Sequence, residues 1–129
     1  MKRVLIADDE PIERMIVSRT IEKYFSEELT VVSAANGREA VEQFFTGDCQ
    51  IALLDIEMPG MNGLEAAEQI RKRDKNCSII FLTAFDEFNY AKRAIAVRAM
   101  EYLLKPVEDQ ELVAVLEEAV RIAEEQETD

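Results

Sequence analysis

The sequence contains no histidine and no tryptophan, and only two cysteines, three prolines and four glycines among its 129 residues. Without histidine, Ser-His-Asp and Cys-His catalysis, His-ligated zinc and a phosphohistidine carrier are all excluded. Any phosphoryl chemistry here must run on carboxylates. Cys49 and Cys77 fit neither a CxxC nor a zinc spacing, and they read as buried free thiols of a reducing compartment. Long apolar runs are missing too. The amino terminus, MKRVLIADDE, carries two basic residues, but Asp8 and Asp9 cut its apolar run short of a signal-peptide core. No later stretch is apolar enough to span a bilayer, so a cytoplasmic chain without membrane contact is expected. Basic charge is also scarce. Fifteen Lys and Arg against 27 Asp and Glu give a net charge of -12, which disfavours binding of a nucleic-acid backbone by this segment and points to protein partners.

What is present is a globular composition, 48% hydrophobic and 33% charged. A chain of this size buries roughly two-thirds of its unfolded surface around one core, so it needs neither a disulfide nor a structural metal. Short apolar runs alternate with stretches of helical period. Val4-Leu5-Ile6-Ala7 predicts a first strand, and Pro11 to Phe25, with apolar Ile12, Met15, Ile16 and Ile21, a first helix. Thr30 to Ala34 predicts a second strand. Asn36 then offers a cap, with Glu39 three residues on to complete a capping box, for a helix that turns Val41, Phe44 and Phe45 inward. The third strand is Ile51 to Asp55. A loop through Glu57-Met58-Pro59-Gly60-Met61 follows it, and then a helix opened by Asn62 with Glu65 in the box position. Ser78 to Thr83, Phe88 to Val97, Tyr102 to Lys105 and Asp109 to about Glu124 complete five strand-helix pairs.

Near-continuous apolar strands such as IALLD and SIIFL require helices on both faces, so the fold class is α/β, a doubly wound five-stranded parallel sheet. The domain is expected over residues 1–124, with 125–129 the start of a linker or a frayed helix end. Right-handed crossovers place every strand's carboxyl end on one edge, where ligands bind in such sheets. The residues that end the runs there are Asp8-Asp9, Asp55, Thr83 and Lys105. Three carboxylates about 4 Å apart repel by several kcal/mol per pair at an intermediate dielectric, so a cation must join them. Hard oxygen donors without imidazole or thiolate favour Mg²⁺, or Mn²⁺. One divalent ion and Lys105 balance three carboxylates, which leaves a neutral site able to admit a phosphoryl group. Asp55, alone at the end of the central strand, is the best placed nucleophile, with Thr83 a hydrogen-bond donor.

These residues resemble the receiver domain of bacterial response regulators. The match runs through the acidic pair of VLIADDEP, the acceptor strand and loop LLDIEMPGMNG, the hydroxyl and small residue of FLTA, and the Lys-Pro of YLLKPV. The resemblance implies a flavodoxin-like strand order of 2-1-3-4-5, with Asp55 as phosphoacceptor supported by Thr83 and Lys105. It implies Mg²⁺ held by Asp9 directly, by Asp8 through water, by Asp55 and by the backbone carbonyl of Glu57. A cis bond between Lys105 and Pro106 and a switch pairing Thr83 with Tyr102 are implied as well. So are a sensor histidine kinase as partner and a domain that is not an enzyme but promotes its own phosphotransfer and dephosphorylation. Glu57 and Phe85, each two residues past a site residue, flank the route of an attacking water. TAFDEFNYAKRAI with EYLLKPV further resembles receivers ahead of AraC-type helix-turn-helix domains, which implies transcriptional output through a DNA-binding domain not contained in these residues.

Other readings stand beside these. Asp8 and Asp9 also suit the capping of a helix that begins near Pro11. Tyr102 also fits a half-buried strand aromatic, and the chain also fits a stand-alone regulator that docks on a protein. Asn89 and Tyr90 with basic Lys92, Arg93 and Arg98, followed by acidic Glu101, Glu108, Asp109 and Glu111, suit a two-fold dimer through the fourth helix, fifth strand and fifth helix, and equally suit solvated faces. An aspartyl-phosphate phosphatase would normally carry a second Asp where Glu57 stands. A dinucleotide-binding turn would need glycines where ADDEP stands.

Overall fold

Strands in this chain form where apolar, largely branched residues run without interruption, and helices form where the apolar period lengthens. The computed structural model describes residues 1–127. In chain order the elements are β1 (Lys2–Ala7), α1 (Pro11–Phe25), β2 (Leu29–Ala34), α2 (Gly37–Thr46), β3 (Ile51–Asp55), α3 (Gly63–Arg73), β4 (Ser78–Thr83), α4 (Phe88–Ala96), β5 (Glu101–Leu104) and α5 (Asp109–Glu127). The five strands form one sheet in the order β2-β1-β3-β4-β5, and every pairing is parallel. β3 is therefore central.

Alternation along the strands feeds two cores. Leu5, Ala7, Ala52, Leu54, Ile79 and Phe81 pack with Phe44, Leu64 and Ile70 under α2 and α3. Val4, Ile6, Ile51, Leu53, Ile80 and Leu82 pack with Ile21, Phe25 and Leu116 under α1 and α5. β3 and β4 are buried along their whole length, as strands covered on both faces must be.

Four local expectations change. Ile12, Met15 and Ile16 lie exposed on α1, and the helix seats itself through Thr20, Ile21 and Phe25 instead. At α2 the Asn36 side chain accepts from Glu39 N, but Glu39 Oε1 accepts from Ala35 N, so the box closes one residue early. The box at Asn62 and Glu65 is complete in both directions. Lys105 lies just past β5 rather than in it, tied to the sheet by its N–H donating to Thr83 O at 2.8 Å. α5 continues through Glu127, beyond the Glu124 expected, because its exposed acidic face offers no breaker; residues 128–129 of the expected linker or frayed end lie outside the described residues. Cys49 and Cys77 are free and buried, and burial pushes both thiols up to about 11. Among the described residues no helix is long and apolar enough to cross a membrane.

Candidate functional site

Asp55 is the last residue of β3 and is only 8% exposed. Its surroundings are set by close backbone approaches that side chains would forbid. A Cβ on Gly63 would come within 2.0 Å of Asp55 O, so only glycine lets α3 begin against the back of this residue. Gly63 N donates to Ile56 O at 2.9 Å. On the other side Gly37 N donates to Met61 O at 3.1 Å, where a Cβ would again collide. Two helix starts thus clamp the loop from Ile56 to Asn62.

Asp8 and Asp9 follow β1, the neighbour of β3. One carboxylate oxygen from each of Asp8, Asp9 and Asp55 falls within 4.8 Å of the others. Asp8 is buried and Asp9 exposed. Neither caps α1: the cap position is Glu10, which makes no side-chain cap bond. Asp8 Oδ1 accepts from Glu10 N at 2.9 Å, and Asp8 Oδ2 accepts from Lys105 Nζ at 3.0 Å. The capping reading fails for both, and the carboxylates stay directed to the sheet edge.

Lys105 Nζ stands 3.9 Å from Asp55 Oδ1 and 4.0 Å from Glu13 Oε2. Its peptide bond to Pro106 is cis. Burial works to lower the ammonium's pKa, but the hydrogen bond it donates to Asp8 and the charges of Asp55, Asp8 and Glu13 outweigh it, and the net shift is upward. Lys105 therefore stays charged. Asp55 moves the other way: burial foremost, then Asp8 and Asp9, push it up to about 6 against the opposing pull of Lys105 and the Ile56 backbone. Asp8, Asp55 and Glu13 thus share the Lys105 ammonium, and Asp9 adds a fourth carboxylate beside Asp8 and Asp55. An oxygen-only donor set with unbalanced negative charge fits a hard divalent cation, which would restore the ionised form of Asp55.

Thr83 is fully buried at the end of β4, and its hydroxyl accepts from Phe85 N at 3.2 Å. Tyr102 is half-buried on β5, packs on Phe81 and donates its hydroxyl to Phe85 O at 2.7 Å. The structure thus gathers Asp8, Asp9, Asp55 and Lys105 directly, while Thr83 and Tyr102 reach the site through Phe85. A cleft of about 760 Å³ opens over Asp55 between Asp8, Asp9, Glu57, Phe85 and Lys105, and continues as an apolar groove between α1 and α5.

Several residues escape the sequence reading. Glu13 and Arg14, which donates from Nη1 to Asp8 O at 2.6 Å, become legible once α1 is placed from Pro11, because one turn brings them back over the acidic pair. Tyr90, which donates to Glu57 Oε1, and the buried Arg71 carry no local signal, since both act on partners distant in sequence.

A flavodoxin-like sheet of this order, with an acidic pocket where its central strand ends, places the molecule among CheY-like folds. The chain belongs to the response regulator receiver domain family, which matches residues 4–117. It is 40% identical over 92% of its length to the positive alginate biosynthesis regulatory protein of Pseudomonas aeruginosa, and spans 47% of that relative. It is 37% identical to the chemotaxis protein CheY of Thermotoga maritima, covering 89% of this chain and 94% of CheY. Among solved structures, the response regulator TrrA of Thermotoga maritima in complex with Mg(2+)-BeF aligns with a TM-score of 0.79 and 39% identity, over 92% of this chain and 99% of that one. The chain spans about half or less of the first curated relatives it matches.

Proposed function

We propose that this receiver is a phosphorylation switch in which Asp55 takes a phosphoryl group from the phosphohistidine of a partner kinase. The observation that carries the reading is the convergence of Asp8, Asp9 and Asp55 within 4.8 Å beside Lys105. Asp8, Asp9, Asp55 and the backbone carbonyl of Glu57 would hold Mg²⁺, with Mn²⁺ suited to the same donors. When bound, that ion supplies positive charge to offset the phosphoryl oxygens.

An Asp55 carboxylate oxygen attacks phosphorus, the bond from phosphorus to the kinase histidine nitrogen breaks, and the nitrogen leaves with the electron pair. Lys105, held charged between Asp8 and Asp55, offsets charge gathered on the phosphoryl oxygens. The Thr83 hydroxyl turns its proton toward the new group and gives up Phe85 N, and Tyr102 follows into the space beside it. The gain of roughly one negative charge biases the surface of α4, β5 and α5. Water later cleaves the bond between Asp55 and phosphorus and returns the carboxylate. In this reading the chain promotes its own phosphotransfer and dephosphorylation and turns over no free phosphomonoester.

Exposed Ile12, Met15 and Ile16 on α1, of which Ile16 lines the cleft, suit a kinase helix. On the output side Phe88, Ile95 and Leu104 are exposed among opposite charges, which suits a homodimer through α4, β5 and α5. Relatives named as regulatory proteins, of which this chain spans about half or less, support a regulatory output in a longer protein, and the resemblance of TAFDEFNYAKRAI and EYLLKPV supports a DNA-binding domain of AraC type as its means. Titration with beryllium fluoride followed by fluorine NMR tests the reading. One ligand is expected per chain, dependent on Mg²⁺ and lost in Asp55→Asn. Binding that survives this substitution, or steady turnover of free phosphomonoesters, would move the chemistry elsewhere or favour a phosphatase.

A further inference from the structure

Glu57 and Phe85, each two residues past a strand end, both line the cleft that opens over Asp55. Each is held by a tyrosine hydroxyl from elsewhere in the chain. Tyr102 of β5 donates to Phe85 O at 2.7 Å, and Tyr90 of α4 donates to Glu57 Oε1. The second bond spans 33 positions and joins the loop after β3 to α4, which itself lies outside the cleft lining. Glu57 is exposed and carries a long side chain with several free torsions, so without a partner its carboxylate would sample positions over the acceptor.

We propose that Tyr90 is a positioning residue whose hydroxyl holds the Glu57 carboxylate toward α4 and thereby lengthens the life of the phosphoryl group on Asp55. This rests on Asp55 being the acceptor. Hydrolysis requires a water whose oxygen bonds to phosphorus while the bond from phosphorus to Asp55 oxygen breaks. The water's proton passes to a base and then to the phosphate released. A carboxylate freed above the cleft is such a base; one tethered to Tyr90 is not. Because the tether ends on α4, movement of that helix and the rate of signal loss are linked through a single hydrogen bond.

The test is the decay of labelled protein after phosphorylation with radiolabelled acetyl phosphate, removal of the donor and incubation with Mg²⁺. Four chains are compared: wild type, Tyr90→Phe, Glu57→Ala and the double variant. Tyr90→Phe removes one partly solvated hydroxyl and should speed decay roughly threefold to tenfold, the scale of one ordinary hydrogen bond. In the Glu57→Ala background the same change should do nothing. Glu57→Gln, which still accepts from Tyr90 but cannot take a proton, should decay slowly with either residue at position 90. A Tyr90→Phe chain that decays at the wild-type rate, or that speeds up equally without Glu57, overturns the inference while leaving the acceptor intact. A wild-type chain that takes no label overturns the acceptor reading and this inference with it.

Discussion

At Asp55, burial and two neighbouring acids cost the ionised form more than Lys105 returns, and the carboxyl is pushed from 3.8 up to about 6. Between those values the folded protein binds more protons than the unfolded chain. Its stability therefore falls as pH rises through this window, by on the order of 2–3 kcal/mol for the metal-free protein. Urea unfolding at pH 4 to 7 without divalent ions should show that fall, and Asp55→Asn should abolish it, leaving the variant the more stable of the two near neutrality. An equal slope in both proteins would place the strain on another group. The residue that gives the site its chemistry is thus one that the fold holds at a cost, as strained functional groups commonly are.

Two elements bear on function without touching the acceptor. α1 leaves Ile12, Met15 and Ile16 exposed, with Ile16 in the lining of the cleft. Ile16→Asp should slow phosphotransfer from a kinase by tenfold or so, the scale of a lost interface contact, yet leave labelling by acetyl phosphate unchanged. Equal loss with both donors would mean damage to the site itself. α3 contributes Arg71, which is buried and donates to Val97 O and Cys77 O, both at 2.8 Å, and to Arg98 O at 3.2 Å. Arg98 itself adopts a positive φ of 56° at the turn into β5. Arg71→Ala would strand these carbonyls and should cost about 3 kcal/mol in urea unfolding, loosening the link from α4 to β5. The sequence shows the helix that carries Arg71 but not its burial, because the groups it bonds, on Asp74, Cys77, Val97 and Arg98, all lie past the end of that helix.

Across the whole molecule the covered parallel strands, the end of the third strand at Asp55 and the acidic pair were legible, because apolar runs ending in charged residues record which strands are covered and where they stop; the strand order that makes β3 central came through the receiver resemblance. Lys105 was legible by its neighbour Pro106, though not its position just outside β5. Glu13, Arg14 and the Tyr90–Glu57 bond were not, since each depends on how helices settle against the sheet. The same crowding of carboxylates predicts that Mg²⁺ at one hundred times its dissociation constant stabilises the protein by about 2.7 kcal/mol, read as a raised melting temperature that Asp8→Ala and Asp9→Ala diminish. With a net charge of -12, monovalent salt alone should give part of this, so the comparison belongs at constant ionic strength. The central claim meets its most direct test in mapping the phosphoryl group by mass spectrometry after reaction with acetyl phosphate, the acyl phosphate first trapped by borohydride reduction. One modified position, Asp55, is expected with Mg²⁺ and none with chelator; a phosphoryl group on any other residue, or labelling of Asp55 without a divalent ion, would contradict the account.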